Sequence, residues 1–509
     1  MKKQSLIKGS LVLGIAGVLT KVLGFFLRWP LIMLINDEGI AYYQLTYPLY
    51  MFFVAIASGV PIAVSKMISE KNAIGDMEGS YEVVKESAFL MAVIGIGTSF
   101  ILFFFAKPII NFLKWDSKSY YSLIGISFAP MIISFVCIFR GFFQGFQNMT
   151  PSGVSQILEQ IGRVVVGVGL AVILLPNGIE YSAGGAAFGA AAGGLLALIY
   201  LYFKYIKIKR SAGIKKVRTN TKVLNQILKI AIPISIGGTV STIMSLIDSI
   251  VVPQQLIKSS VDNATALYGQ LTGKAAVIVN LPLTLSMAIC TSLIPIISEY
   301  YILKRKQEVQ NKINLVMKLS AVIALPCAVG LFFMAEPIMK LIFFDKYEGV
   351  LILKYLSLSI PFVIITQTTT SILQATNHYI RPVVNLVVGC VAKLILTWIL
   401  VPIPEINIYG AVIASIAAYI IVAILNIIYL KNKTKMKVNI YDSFISPAYA
   451  SMTMALMVIY SYNKIMLKIN SNSISCLISI FMGIIIYGIV ILVLRVFEVD
   501  DIKKRIVRN

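Results

Sequence analysis

Three observations in the amino-acid sequence predict an all-α integral membrane protein with about fourteen transmembrane helices. The residues are 58% hydrophobic and only 13% charged, about half the charged share of a soluble domain. That surplus of apolar side chains needs lipid as its solvent. Apolar stretches of about twenty residues, enough for one helical crossing, recur along the whole chain. Finally, the lysines and arginines sort by side, as they do in loops of a polytopic membrane protein.

The predicted spans centre near residues 22, 53, 94, 132, 164, 193, 237, 282, 323, 362, 390, 420, 450 and 486. The first opens like a secretory signal, with Lys2, Lys3 and Lys8 ahead of an apolar run from Leu11 to Thr20. The run resumes after Lys21 through Phe25, Phe26 and Leu34 without a small-residue cleavage site, so it reads as an uncleaved span. Spans one, two, five, seven and eight are the least uniformly apolar. No intervening segment is long enough for a separate soluble domain.

With an even number of spans both termini share a side. The termini and the even-numbered connections carry 29 of the 45 cations, and the odd-numbered connections carry 8. Cytoplasmic loops hold the excess of Lys and Arg, so both termini are expected inside. The formal charge of +23 is then mostly topology, and nucleic acid is not an expected partner. The most basic connection, 204–222, is expected to lie against anionic lipid headgroups.

A weak repeat relates two halves at a period near 230 residues. FQGFQNMTPSGVSQILEQIGRVVVG (143–167) parallels LQATNHYIRPVVNLVVGCVAKLILT (373–397), which sets Gln144 on Gln374 and Arg163 on Lys393. Pro48 and Pro61 in span two are spaced like Pro282 and Pro295 in span eight. The predicted organisation is a six-helix lobe over 1–205, a basic linker over 206–222, a second lobe over 223–431, and two further helices with a basic tail over 432–509. Units of six spans keep one orientation, so a pseudo-twofold axis along the membrane normal is expected, with the substrate site where the halves meet.

Eight cations fall outside the loops: Lys21, Arg28, Arg163, Lys229, Lys274, Lys354, Lys393 and Arg495. Lys229, Lys354 and Arg495 lie near span ends, where long side chains reach the interface. Lys21 and Arg28 stand seven residues apart, close to two turns, on one helix face with Gly24 between them. Cations inside hydrocarbon are costly, so that face is expected to look into a wet cavity. Lys274 on span eight is a further candidate contact. Asp248 on span seven is either their counter-ion or the group that carries a coupling proton or sodium ion. Glu159 and Arg163 form an i,i+4 pair that is either structural or a gate. Pro48, Pro61, Pro282 and Pro295 are expected to bend their spans at matching depths.

Other chemistry is missing. GQLTGKAA (269–276) lacks the spacing of a phosphate loop and the hydroxyl residue after Lys274. His378 is the only histidine. The five cysteines have neither metal nor redox spacing. No enzyme activity, cofactor or metal is expected.

Several strings carry a specific likeness: IKGSLVLGIAGVLTKVLGFFLR (7–28), FRGFFQGFQNMTPSGVSQILEQIGRV (139–164), YGQLTG (268–273) and LIPIISE (293–299). They resemble the stage V sporulation protein B family, in the polysaccharide-flippase branch of the multidrug/oligosaccharidyl-lipid/polysaccharide exporter superfamily. The resemblance implies a V-shaped, two-lobe fold around a cationic cavity in the bacterial cytoplasmic membrane. It also implies export of an undecaprenyl-diphosphate-linked sugar, such as a peptidoglycan precursor for the spore cortex, by a monomer. Lys21 matches the family's first cavity cation within TKVLGF. Arg28 lies one residue from its second, and span two has no arginine between Leu45 and Ser65. Alternatives are a cation-coupled multidrug exporter of the same superfamily, using Asp248, and a membrane-embedded glycan synthase.

Overall fold

A computed structural model describes residues 4, 6–211, 221–259, 261, 263–434, 441–494 and 496. Among these the chain is helical almost throughout. In lipid the backbone finds no water, and a helix satisfies its own N–H and C=O groups. Twelve helices among the described residues are long and apolar enough to cross a membrane, against about fourteen expected. The first of them, Val12–Ala73, counts once although its 62 residues are well beyond the ~20 of one crossing.

The chain divides into two compact units, 1–269 and 270–509. The first holds α1 (Leu6–Ile56), α2 (Gly59–Ala73), α3 (Met77–Phe104), α4 (Ala106–Leu113), α5 (Tyr120–Ser127), α6 (Ala129–Gly145), α7 (Thr150–Leu174), α8 (Ile179–Ser211), α9 (Thr221–Lys258) and α10 (Ala264–Gly269). The second opens with a π turn, Gln270–Ala275. There follow α11 (Ala276–Ile302), α12 (Lys306–Phe333), α13 (Ala335–Phe343), α14 (Val350–Leu356), α15 (Ile360–Ala375), α16 (Ile380–Leu400), α17 (Tyr409–Thr434), α18 (Ser446–Ile469) and α19 (Asn472–Val493).

The repeat seen in sequence reappears in the helix starts. α3 and α12 begin at 77 and 306, α4 and α13 at 106 and 335, α7 and α16 at 150 and 380, and α8 and α17 at 179 and 409. The packing boundary differs from the repeat boundary. α9 heads the second six-span unit by sequence, yet it packs with α1 and α2 in the first compact unit.

Two breaks shape the start of the chain. Asn36 leaves helical geometry at φ 56°, ψ −171°, a left-handed φ that Asn tolerates better than most residues, and it cuts α1 into two legs. A second break at Ala57 and Ser58 separates α1 from α2. There Gly59 N–H donates to Ser235 Oγ on α9 at 3.1 Å. A Cβ on Gly59 would lie 2.0 Å from the Ala231 carbonyl oxygen, so only glycine permits this approach. Pro61 follows the break directly. In the other half α11 runs from Ala276 to Ile302 as one helix, so the break at Ala57 and Ser58 has no counterpart in its backbone. Pro61 has no N–H to donate to the Ala57 carbonyl, and the packing of Gly59 on α9 holds the chain at the break.

Small residues close the first unit. Gly193 of α8 faces α7 so closely that a Cβ would lie 2.1 Å from the Glu159 carbonyl oxygen and 2.7 Å from Arg163 N. Such contacts replace the hydrophobic drive that helices lack inside lipid, and they fix the backbone that carries both charges. In the second unit α18 and α19 pack on each other, with Met334, Met454, Val458 and Cys476 in one cluster. Tyr487 OH donates to the Val322 carbonyl of α12 at 2.8 Å, tying this pair to the repeat.

Candidate functional site

The candidate site is a group of cations on α1, α6 and α7, all within the first unit. Lys21 and Arg28 lie on the first leg of α1, where Lys21 is exposed and Arg28 half-buried. Neither is ion-paired to a carboxylate among the described residues. Gly24 between them stands beside Gln160 of α7, whose Nε2 would be 3.3 Å from a Cβ there.

The second leg of α1 supplies Tyr43, Tyr47 and Tyr50. Their i,i+4 and i,i+3 spacing puts them on one face. Tyr43 and Tyr47 stack with centroids 5.7 Å apart, and Tyr50 lies 5.8 Å from Tyr47. The charges of Arg163, Arg28 and Lys21 all act on the Tyr47 phenol. Arg163 Nη1 donates to its oxygen at 3.4 Å, with the guanidinium carbon 6.0 Å from the ring centre.

Glu159 sits between two arginines. Its Oε2 accepts from Arg140 Nη2 at 2.9 Å, while its Oε1 lies 3.6 Å from Arg163 Nη2. Arg140 Nε also donates to Ser155 Oγ at 2.8 Å. The i,i+4 pair foreseen in sequence is therefore the looser half of a triad. Arg140 is one of the 29 cations that the predicted span boundaries place in the termini and even-numbered connections, but it lies inside α6 with a side chain 16% exposed. A charge flanked by Phe139, Phe142 and Phe143 in an otherwise apolar run was the available signal. With Lys21 and Arg28, the group holds four cations, of which Arg140 and Arg163 contact the Glu159 carboxylate.

The other expected site residues have surroundings of their own. Lys274, expected as a phosphate contact, is fully buried in the second unit. Its Nζ donates to the Lys346 carbonyl at 2.6 Å and to Glu348 Oε2 at 3.1 Å, so it ties the π turn to the 344–349 loop. Asp248 is half-buried on α9, in the same unit as Lys21 and Arg28. Its neighbour Ser249 accepts the Trp115 indole N–H at 2.6 Å. Lys393 of α16 is 3% exposed and its repeat counterpart Arg163 8%. Lys229 is exposed, and Lys354 Nζ lies 4.9 Å from the centre of the Phe332 ring. Arg495, the Pro295 side chain and the central part of the basic linker lie outside the described residues.

A body built of membrane-length helices, with cations on its spans that no carboxylate pairs among the described residues, is that of a multi-pass membrane protein. Within that class the chain belongs to the polysaccharide biosynthesis protein family, whose model matches residues 6–301. The MatE model matches residues 264–399. Stage V sporulation protein B of Bacillus subtilis (strain 168) is 30% identical over 84% of this chain and 83% of its own length. The lipid II flippase MurJ of the same organism is 28% identical over 82% of this chain and 80% of its own. A solved structure of lipid II flippase MurJ, in an inward closed conformation, superposes with a TM-score of 0.74 at 18% identity. It covers 95% of this chain and 99% of that one, which establishes the fold.

Proposed function

We propose that the protein flips an undecaprenyl-diphosphate-linked sugar across the bacterial cytoplasmic membrane by alternating access, with Lys21 and Arg28 receiving the diphosphate. One observation carries the reading: two cations share a face of a membrane-spanning helix, and among the described residues no carboxylate is paired to either. Each costs about 2.5 to 3.5 kcal/mol at a bilayer centre by insertion scales, so their place is a wet cavity that takes an anion. A diphosphate needs at least two cations to offset its desolvation, with Arg forking its oxygens and Lys acting as a point charge. The polyprenyl tail stays in lipid while the head crosses.

Relatives named as a lipid II flippase and as a sporulation protein support a peptidoglycan precursor, made for the spore cortex, as the cargo. In this reading the protein is a monomer without enzyme activity, both termini are cytoplasmic, and the 204–222 segment rests on anionic lipid. Lys274 is left out of the phosphate set because its ammonium is engaged by Glu348. Asp248 serves as counter-ion or ion-coupling group. The test is transport of a lipid-linked disaccharide in reconstituted vesicles, read as headgroup accessibility in each leaflet. The Lys21→Ala/Arg28→Ala protein should lose transport at unchanged incorporation, and undiminished transport rejects the assignment.

A further inference from the structure

Of the two arginines beside Glu159, Arg163 is the less satisfied. It is 8% exposed, and buried polar groups are almost always hydrogen-bonded. A guanidinium carries five N–H donors in a fixed fork. Yet the Glu159 oxygen at 3.6 Å is too distant for a hydrogen bond, and the Tyr47 hydroxyl at 3.4 Å is a long one. Nε has no hydrogen-bond partner among the described residues. Arg140 differs: it reaches Glu159 at 2.9 Å and Ser155 at 2.8 Å. The carboxylate is therefore held by Arg140 and merely faces Arg163.

We propose that Arg163, with the Tyr47 hydroxyl, is a further diphosphate-binding point, and that Glu159 is the resident counter-ion which the incoming anion replaces at Arg163. A phosphate group presents several acceptor oxygens that match the free edge of the guanidinium. The same Tyr47 phenol lies in the field of Lys21 and Arg28, on the helix that carries both. Glu159 makes a buried arginine pair tolerable when no anion is bound, since an uncompensated buried charge is costly. When phosphate arrives, Arg140 keeps the carboxylate and Arg163 changes partner. This inference rests on the flippase reading of the same cluster. A purely structural pair would instead have Glu159 close on Arg163 and the Nε filled from the protein.

The test uses the full-length protein in detergent, with inorganic pyrophosphate as the probe and calorimetry at fixed ionic strength. Removing one nearby negative charge by Glu159→Gln, which keeps an acceptor for Arg140, should tighten binding about tenfold. Arg163→Gln should weaken it at least about tenfold, and Arg163→Lys should restore only part, because the fork is lost. Unfolding temperatures identify any variant that fails to fold, and the gain in Glu159→Gln cannot arise from misfolding. The proposal is overturned if wild type does not bind pyrophosphate, if Arg163→Gln binds like wild type, or if Glu159→Gln binds more weakly. Binding that depends on Lys21 and Arg28 but not on Arg163 would overturn this inference and leave the flippase reading intact. Independence from Lys21 and Arg28 would remove the flippase site instead.

Discussion

Replacing Lys274 by Met separates an anchor from a phosphate contact. The side chain is fully buried, and its 2.6 Å bond to the Lys346 carbonyl is charge-assisted, worth about 1.5 to 3 kcal/mol. The contact to Glu348 adds little, because that carboxylate's side chain is 59% exposed and such pairs contribute at most about 1 kcal/mol. Met keeps the length of the stem and recovers some apolar burial, which leaves a net loss of about 2 kcal/mol. That loss would act on local opening of the 344–349 loop, raising the open fraction about thirtyfold. Hydrogen exchange of peptides covering 343–350 measures it directly, with vesicle transport assayed in parallel. Faster exchange in that loop, with transport per incorporated molecule within about threefold of wild type, is the expected result. Unchanged exchange together with a transport loss above about tenfold would refute the anchor and return Lys274 to the substrate path.

Two further outcomes follow from the geometry. Gly59→Ala places a methyl 2.0 Å from the Ala231 oxygen and threatens the Gly59–Ser235 hydrogen bond, so it should cost about 2 to 4 kcal/mol. Gly14→Ala, with no heavy atom within 4 Å of the new Cβ, should be neutral or stabilise by up to about 1 kcal/mol; equal Tm values for the two variants in micelles would contradict this. Glu348 titrates below the usual carboxylate range: burial pushes it up, but its own backbone N–H and the Lys274 ammonium pull it down further. A depressed carboxyl contributes stability that is present above about pH 4.3, the unfolded value, and lost as pH falls through the folded one. Loop protection, corrected for intrinsic exchange, should therefore hold from pH 7 to 5 and drop below pH 4 in wild type, with no such drop in Lys274→Met. A loss already complete at pH 5 would exclude Glu348 as the titrating group.

Much of this molecule could be read from the chain. Hydropathy alone identifies a lipid-solvated helical protein, because every apolar twenty-residue run must satisfy its backbone within itself. The repeat is visible in the strings around Arg163 and Lys393 and returns in the paired helix starts. The shared face of Lys21 and Arg28 follows from helical spacing, and both lie on one leg of α1. The resemblance carried by the 7–28 and 139–164 strings leads to the family whose model matches residues 6–301.

The rest depended on contacts between residues far apart in sequence, which local periodicity does not encode. Lys274 looked like an intramembrane cation seeking an anion, but the Lys346 carbonyl and, more loosely, Glu348 hold its ammonium. Arg140 looked like a loop charge until α6 and α7 came together and Ser155 and Glu159 received its guanidinium. α8 closes on α7 through Gly193 against the Glu159 backbone, and in that packing Arg163 faces a carboxylate that Arg140 holds. Sequence by itself determined the solvent, the repeat and the charged spans other than the one that carries Arg140, because each follows from composition or from a regular helical period. Only the tertiary structure decided which of those charges are neutralised, because a buried ion pair is set by the distance between two side chains on different helices.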